Sequence, residues 1–390
     1  MDLVVLIPVL LVVALSFFFD FTNGFHDTAN AMATSVATGA LKPKVAVLIS
    51  AVLNLVGAFL STAVAKTVSE GILAQDSQGL PDITVPMIFA GLMGAVLWNL
   101  LTWWLGLPSS STHALFGGLI GAAVIGAGFG AVEWGGVVSK IVLPALLSPF
   151  IAGSVALVAT YLVYRVTRMA TVAGSTTAFR HGQTVSASLV SLAHGTNDAQ
   201  KTMGVITLTL IVAGYQETGT GPQFWVILGA GLAIALGTYL GGWRIMRTVG
   251  KRITDVKPPQ GFAAETSAAS TILISSTLGF PLSTTQVTSG AVVGSGLGKR
   301  LASVHWNVVA RIAFAWITLP AAALVGGLAA WAATAGTIGL VAVLVGGLGA
   351  CIGLFLLARR KPVSAENVND ESLDADRVGR EGTTTQEARA

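Results

Sequence analysis

Two aspartates stand at matched places in otherwise apolar sequence, Asp27 in GFHDTANAM (24–32) and Asp198 in GTNDAQKTM (195–203). Two hydroxyl clusters are matched in the same way, in GLPSSSTHALFGGLIG (106–121) and GFPLSTTQVTSGAVVG (279–294). The offset is 171 residues for the aspartates and 173 for the hydroxyl clusters, so the chain is an internal duplication. A carboxylate is an acceptor that binds protons or hard cations. A run of Ser and Thr after a proline and before an apolar helix offers hydroxyls, free N–H groups and about half a positive charge, which is the chemistry of an anion site. Cations and an anion at one place have the logic of a symporter, because the anion is tolerated beside Asp27 and Asp198 only once cations neutralise them.

The plain alternatives are packing or helix capping, which Asp, Ser and Thr all serve. A serine caps without carrying charge, and an ionised aspartate at membrane depth costs at least about 2.5–3.5 kcal/mol, so two of them at matched positions call for a function. On a helix Asp27, Asn30 and Thr34 share one face, and Asp198, Lys201 and Thr202 share the corresponding one. Asn23-Gly24 and His194-Gly195 predict a break in each of these helices.

The elements that must hold these groups are membrane spans. Hydrophobic residues make up 53% of the 390 and charged residues 10%, far from the roughly 25% charged of an ordinary soluble domain. Apolar runs long enough to cross a bilayer lie at 2–22, 44–65, 85–105, 114–132, 141–164, 184–214, 224–242, 262–279, 304–329 and 335–357. They read as helices, giving an all-α polytopic membrane protein with no short alternating segments of a barrel. The start lacks the basic region and cleavage site of a secretory signal, so the first span is expected to be retained. Nothing in the charge pattern provides for nucleic acid, and Cys351 is read as packing.

Fifteen basic residues fall on one side if Lys42, Lys44, Arg165, Arg168, Arg180, Arg244, Arg247, Lys251, Arg252, Lys257, Lys299, Arg300, Arg359, Arg360 and Lys361 are all cytoplasmic, leaving Lys66 and Lys140 outside. The N-terminus is then outside, the C-terminus cytoplasmic, and equivalent elements of the two halves point in opposite directions. This is an inverted-topology repeat. Pro108 and Pro281 sit mid-way through their paired apolar runs, which predicts two re-entrant hairpins, each tolerated only where it lines a cavity or is buried in protein. The expected divisions are a first repeat at 1–164, a cytoplasmic linker at 165–183, a second repeat at 184–329, an additional helix at 330–361 and a disordered cytoplasmic tail at 362–390. The tail carries seven acids against three arginines and little apolar sequence.

These residues resemble the PiT family of inorganic phosphate transporters, whose signature reads Gly-Ala-Asn-Asp-Val-Ala-Asn in each half followed by Pro-Val-Ser-Thr-Thr-His. The likeness covers about residues 5–357 and includes Trp316-Ile317-Thr318-Leu319-Pro320. It implies a secondary active transporter of the plasma membrane, taking up inorganic phosphate, alone or as a metal complex, by proton or sodium symport. It implies that Ser110, Ser111, Thr112, Ser283, Thr284 and Thr285 cradle phosphate. Asp27, Asn30, Asn197 and Asp198 would serve the coupling ion, with Asp27, Asn30 and Asp198 as the ligands if that ion is sodium. It implies no other cofactor and no enzymatic activity, and leaves open an assembly of identical copies.

The chain departs from that signature at His26, at Lys201 where a second Asn is expected, and at Gln286 in place of the second His. Lys201 is read as a fixed charge replacing one bound metal ion, or else as a structural partner of Asp198. His26 and His194 either cap the helix breaks or handle protons. Glu265, at the start of the second hairpin, is either functional or a solvated helix start. Asp20 either extends the cation path or serves the outer vestibule or a local cap. Two rivals remain: sulfate on the same scaffold, and a membrane enzyme acting on a phosphorylated lipid, for which only His113 stands near a serine cluster. A passive channel is disfavoured, since paired carboxylates repel a freely flowing anion.

Overall fold

A computed structural model describes residues 3–76, 79–169, 171–299, 304–359 and 363–370. Its helices are α1 (Leu3–Ala37), α2 (Pro43–Gly57), α3 (Ala63–Glu70), α4 (Val85–Leu105), α5 (Ser111–Ala127), α6 (Trp134–Val137), α7 (Leu143–Val166), α8 (Val172–Val212), α9 (Phe224–Leu240), α10 (Trp243–Arg247), α11 (Pro258–Thr277), α12 (Thr284–Gly298), α13 (Trp306–Ala315), α14 (Thr318–Ala333) and α15 (Thr337–Arg359). Among the described residues only short 3-10 and π turns and isolated bridges occur besides. The protein is therefore all-α and multi-pass, as its composition requires.

Among the described residues, five helical stretches are long and apolar enough to cross a membrane: 6–37, 85–105, 134–169, 306–333 and 337–359. A sixth forms if Phe224–Leu240 and Trp243–Arg252, bent by 61°, count as one. The run 44–65 divides into α2 and α3, and the long α8 fails on composition. The reason is physical. The helices that carry polar site residues turn them inward, where protein and not lipid is the solvent.

The expected breaks at Asn23-Gly24 and His194-Gly195 do not form. α1 and α8 are continuous through 35 and 41 residues. The two glycines instead permit close helix approach: a Cβ on Gly24 would press on the carbonyl oxygen of Ile234 in α9, and one on Gly195 on the carbonyl oxygen of Asn54 in α2. α1 thus packs on α9 and α8 on α2, each crossing into the other half. The same exchange recurs where Gly121 of α5 abuts Ala323 of α14 and Gly294 of α12 abuts Gly153 of α7.

Both hairpins turn alike. Gly106 closes α4 with φ +68°, and Gly279 follows α11 with φ +78°, a left-handed geometry that glycine adopts without strain. The arms are unequal: α4 has 21 residues and α5 17, α11 has 20 and α12 15. At about 1.5 Å per residue, α4 and α11 match a hydrocarbon core of about 30 Å and the returning arms fall short of it. Residues 107–110, outside any helix, bring the chain back to the start of α5.

Most of the expected linker at 165–183 is the first part of α8, which at 41 residues outruns any bilayer. The tail also departs from expectation where it is described. Within 363–370, Val368 is buried, the Arg247 guanidinium donates to the carbonyl of Asp370, and Glu366 meets Lys44 at 2.9 Å. Hydrogen bonding to that ammonium holds the Glu366 carboxyl down at about 2. The pair therefore persists as pH falls through the ordinary carboxylate range. Residue 362 and the remainder of the tail, 371–390, lie outside the described residues.

Candidate functional site

α1 and α8 bring Asp27 and Asp198 face to face, and α5 and α12 aim their first turns between them. The two N-caps are Ser110, whose Oγ accepts from the His113 N–H at 3.1 Å, and Ser283, whose Oγ accepts from the Gln286 N–H at 3.3 Å. These two hydroxyls are therefore engaged in starting their helices. The next residues reach the carboxylates. Ser111 donates to Asp27 Oδ2 at 3.3 Å, Thr284 to the same oxygen at 3.1 Å, and Thr285 to Asp27 Oδ1 at 3.4 Å.

Equivalent residues of the halves make equivalent contacts. His26 Nδ1 lies 2.6 Å from Asp27 Oδ1, and Asn197 Nδ2 donates to Asp198 Oδ1 at 2.6 Å. Asn30 Nδ2 donates to Thr285 Oγ1 at 3.0 Å, while Lys201 Nζ donates to Thr112 Oγ1 at 2.5 Å and to Asp198 Oδ1 at 2.7 Å. Lys201 is wholly buried, and its reach to the start of α5 repeats Asn30's reach to the start of α12. Across the halves, Asn23 Nδ2 donates to Asp198 Oδ2 at 3.1 Å and His194 Nε2 lies 3.9 Å from Asp27 Oδ2. The hairpins touch as well. Thr112 Oγ1 and Asn197 Nδ2 both donate to the carbonyl of Leu282, at 3.0 and 2.9 Å.

His194 is the residue that sequence reasoning undervalued. Thr238 Oγ1 donates to the carbonyl of Gly24 at 3.4 Å and so accepts from Asn54 Nδ2 at 2.8 Å, which turns Asn54 Oδ1 toward His194 Nδ1 at 3.1 Å. That chain places a hydrogen on Nδ1. Nε2 faces Asp198 Oδ2 at 3.3 Å. Ligand atoms of Asp27, His194 and Asp198 all lie within 4.8 Å of one another. Of the expected sodium ligands, Asn30 is turned toward the threonines with its nitrogen, and His194 occupies the third corner. Only its matched spacing before Gly195 hinted at this.

Glu265 stands apart from this centre, on α11. It accepts from Thr34 and Ser35 of α1 at 2.6 Å each, and from Gln183 and Ser186 of α8 at 3.1 and 2.5 Å. It is buried, which excludes the solvated helix start. Farther along, a cavity of about 930 Å³ is lined by Arg168, Arg180, Lys251, Lys257 and Lys299, with Asp255 among them. Sequence reading had used these bases only for orientation.

Known proteins resemble this chain in sequence and fold. The model of the phosphate transporter family matches residues 23–177 and 168–326. The chain belongs to that family. A probable low-affinity inorganic phosphate transporter of Mycobacterium tuberculosis (strain ATCC 25618 / H37Rv) is 52% identical over 372 residues, covering 92% of this chain and 86% of that protein. One of Bacillus subtilis (strain 168), bearing the same description, is 41% identical over 330 residues, covering 84% and 98%. Among solved structures, one titled the sodium-dependent phosphate transporter superimposes with a TM-score of 0.69 at 26% identity, covering 83% of this chain and 98% of that one. Members of the phosphate transporter family are transporters and not enzymes, and the phosphorylated-lipid enzyme is set aside.

Proposed function

We propose that this chain imports inorganic phosphate across the plasma membrane by cation symport, with Asp27, His194 and Asp198 holding the coupling charge. The observation that carries the reading is the convergence of two carboxylates and an imidazole nitrogen within 4.8 Å at the junction of the two halves. Two carboxylates facing one point need a positive charge between them, a proton or a sodium ion.

Coupling follows from shared donors. Ser111, Thr284 and Thr285 donate to Asp27, and Lys201 bridges Asp198 and Thr112. Phosphate entering between the helix starts takes those donors for its own oxygens, leaving the carboxylates to the cation. Without the cation, like charges about 4 Å apart repel by about 4 kcal/mol at an effective dielectric of about 20, roughly a thousandfold in affinity. Phosphate also carries an O–H that Asp27 or Asp198 accepts, whereas sulfate at neutral pH has none to donate. This favours phosphate over its nearest rival.

The reciprocal helix contacts support two repeats exchanging partners, and the charge pattern supports their inverted insertion with the N-terminus outside. Divisions at 1–164, 184–329 and 330–361 follow from that reading. The meeting of Thr112 with Leu282 at the starts of α5 and α12 supports re-entrant arms that approach from opposite faces.

The test is uptake of labelled phosphate by proteoliposomes under separately imposed proton and sodium gradients, with sulfate as competitor. Accumulation driven by at least one gradient and unaffected by equimolar sulfate is expected. Equal competition by sulfate overturns the anion assignment, and indifference to both gradients overturns symport.

A further inference from the structure

Asp20 is wholly buried on α1, seven residues before Asp27 and outside the central cluster. Neither of its carboxylate oxygens has a hydrogen-bond partner. The polar group beside it is the hydroxyl of Thr202 on α8, whose oxygen is likewise unpartnered. Ser16 Oγ and Asn23 Oδ1, about one turn before and after Asp20 on the same helical face, are unpartnered too. At an offset of 171 the counterpart of Asp20 is Ser191, which donates to Ser50 and to the carbonyl of Ala187. Duplication of the fold therefore does not account for an acid here.

We propose that Asp20 is a proton-carrying site, a neutral carboxylic acid whose O–H donates to Thr202 Oγ1, through which protons from the outer side are coupled to phosphate. The proposal rests on the symport reading above and adds a site to it. An ionised carboxylate with no neighbouring donor but one threonine hydroxyl is strongly disfavoured in a buried place. One proton removes that charge and gives Asp20 and Thr202 a partner in each other. The charged groups facing Asp20 are Asp198 and Lys201 on α8. α4 carries no acid or base, the tyrosine of α9 is exposed, and the basic residues of α10 lie toward the other end, where Gly242 packs against Phe25.

Those two neighbours set the sign of coupling. Lys201 neutralises Asp198 at 2.7 Å while also donating to Thr112. When phosphate draws the ammonium toward the start of α5, Asp198 recovers its negative charge and holds the proton on Asp20 more tightly. By linkage the proton tightens phosphate binding equally. Both bind from the outer side, and both leave together to the cytoplasm once phosphate departs and Lys201 returns to Asp198. No bond other than O–H forms or breaks.

Two measurements on the full chain test this. In proteoliposomes, Asp20→Asn keeps the shape of the side chain, and the number of protons moved per phosphate should fall by one, with phosphate exchange persisting. By infrared spectroscopy at neutral pH, wild type should show the carbonyl stretch of a protonated carboxylic acid that Asp20→Asn lacks and Thr202→Val shifts. An unchanged proton count in Asp20→Asn, or identical infrared spectra, overturns the assignment. Absence of phosphate exchange in wild type contradicts the transport reading instead, and the infrared comparison still decides Asp20.

Discussion

At the scale of residues, the centre is a set of acceptors short of positive charge. Lys201 stands at the position where the first half has Asn30, its Nζ 2.7 Å from Asp198 Oδ1. Replacing it with Asn removes a cation that Asp198 needs, so a mobile ion must take its place. Lys201→Asn is expected to acquire or strengthen sodium dependence of phosphate uptake, read as the ratio of initial rates in sodium and in a large organic cation. An unchanged ratio contradicts the role given to Lys201. Glu265 makes a different prediction. Four donors converge on one carboxylate, and Glu265→Gln leaves some of them facing an amide N–H that cannot accept. A loss of about 1–3 kcal/mol in stability is expected, read as a lower midpoint of thermal unfolding in detergent. A midpoint equal to wild type contradicts it. The aspartates and hydroxyls of this centre were legible because duplication marks them. His194 and Asp20 were harder to place, since the role of each depends on what the opposing helix supplies.

At the scale of elements, glycine decides how near the two halves come. Gly24 and Gly195 read in sequence as helix breaks because glycine permits them, yet each sits where a neighbouring backbone leaves no room for a Cβ. Period and composition do not distinguish those uses; only the partner helix does. Gly24→Ala should push α9 off α1 and destabilise the protein by about 1–3 kcal/mol, with a matching loss of uptake. Gly349→Ala on α15, where nothing lies within 4 Å, should be neutral or slightly stabilising. Thermal unfolding in detergent compares the two, and equal midpoints contradict the close-approach role. Helix content was readable from hydropathy for the apolar stretches, whereas α8 escaped any simple threshold because its polar face is turned to protein.

At the scale of the molecule, two halves exchange helices about a shared centre, and the proposed orientation rests on the charges between spans. A membrane-impermeant maleimide should label Thr218→Cys from outside and Ala178→Cys only after the membrane is opened, each in a Cys351→Ser background. Both side chains are exposed, Ala178 near the start of α8 and Thr218 after its end, on opposite expected sides. The reverse pattern contradicts the inverted insertion, though not the fold. The orientation rests on bases whose positions any sequence reader sees; their gathering around a cavity of about 930 Å³ required the tertiary structure.

The account stands or falls on the two facing carboxylates. The most direct measurement is the steady-state ratio of phosphate inside to outside proteoliposomes bearing protein with both Asp27→Ala and Asp198→Ala, under the gradient that drives wild type. A ratio of about one is predicted, because no site is left to make cation and phosphate wait for each other. Accumulation above the outside concentration contradicts the claim.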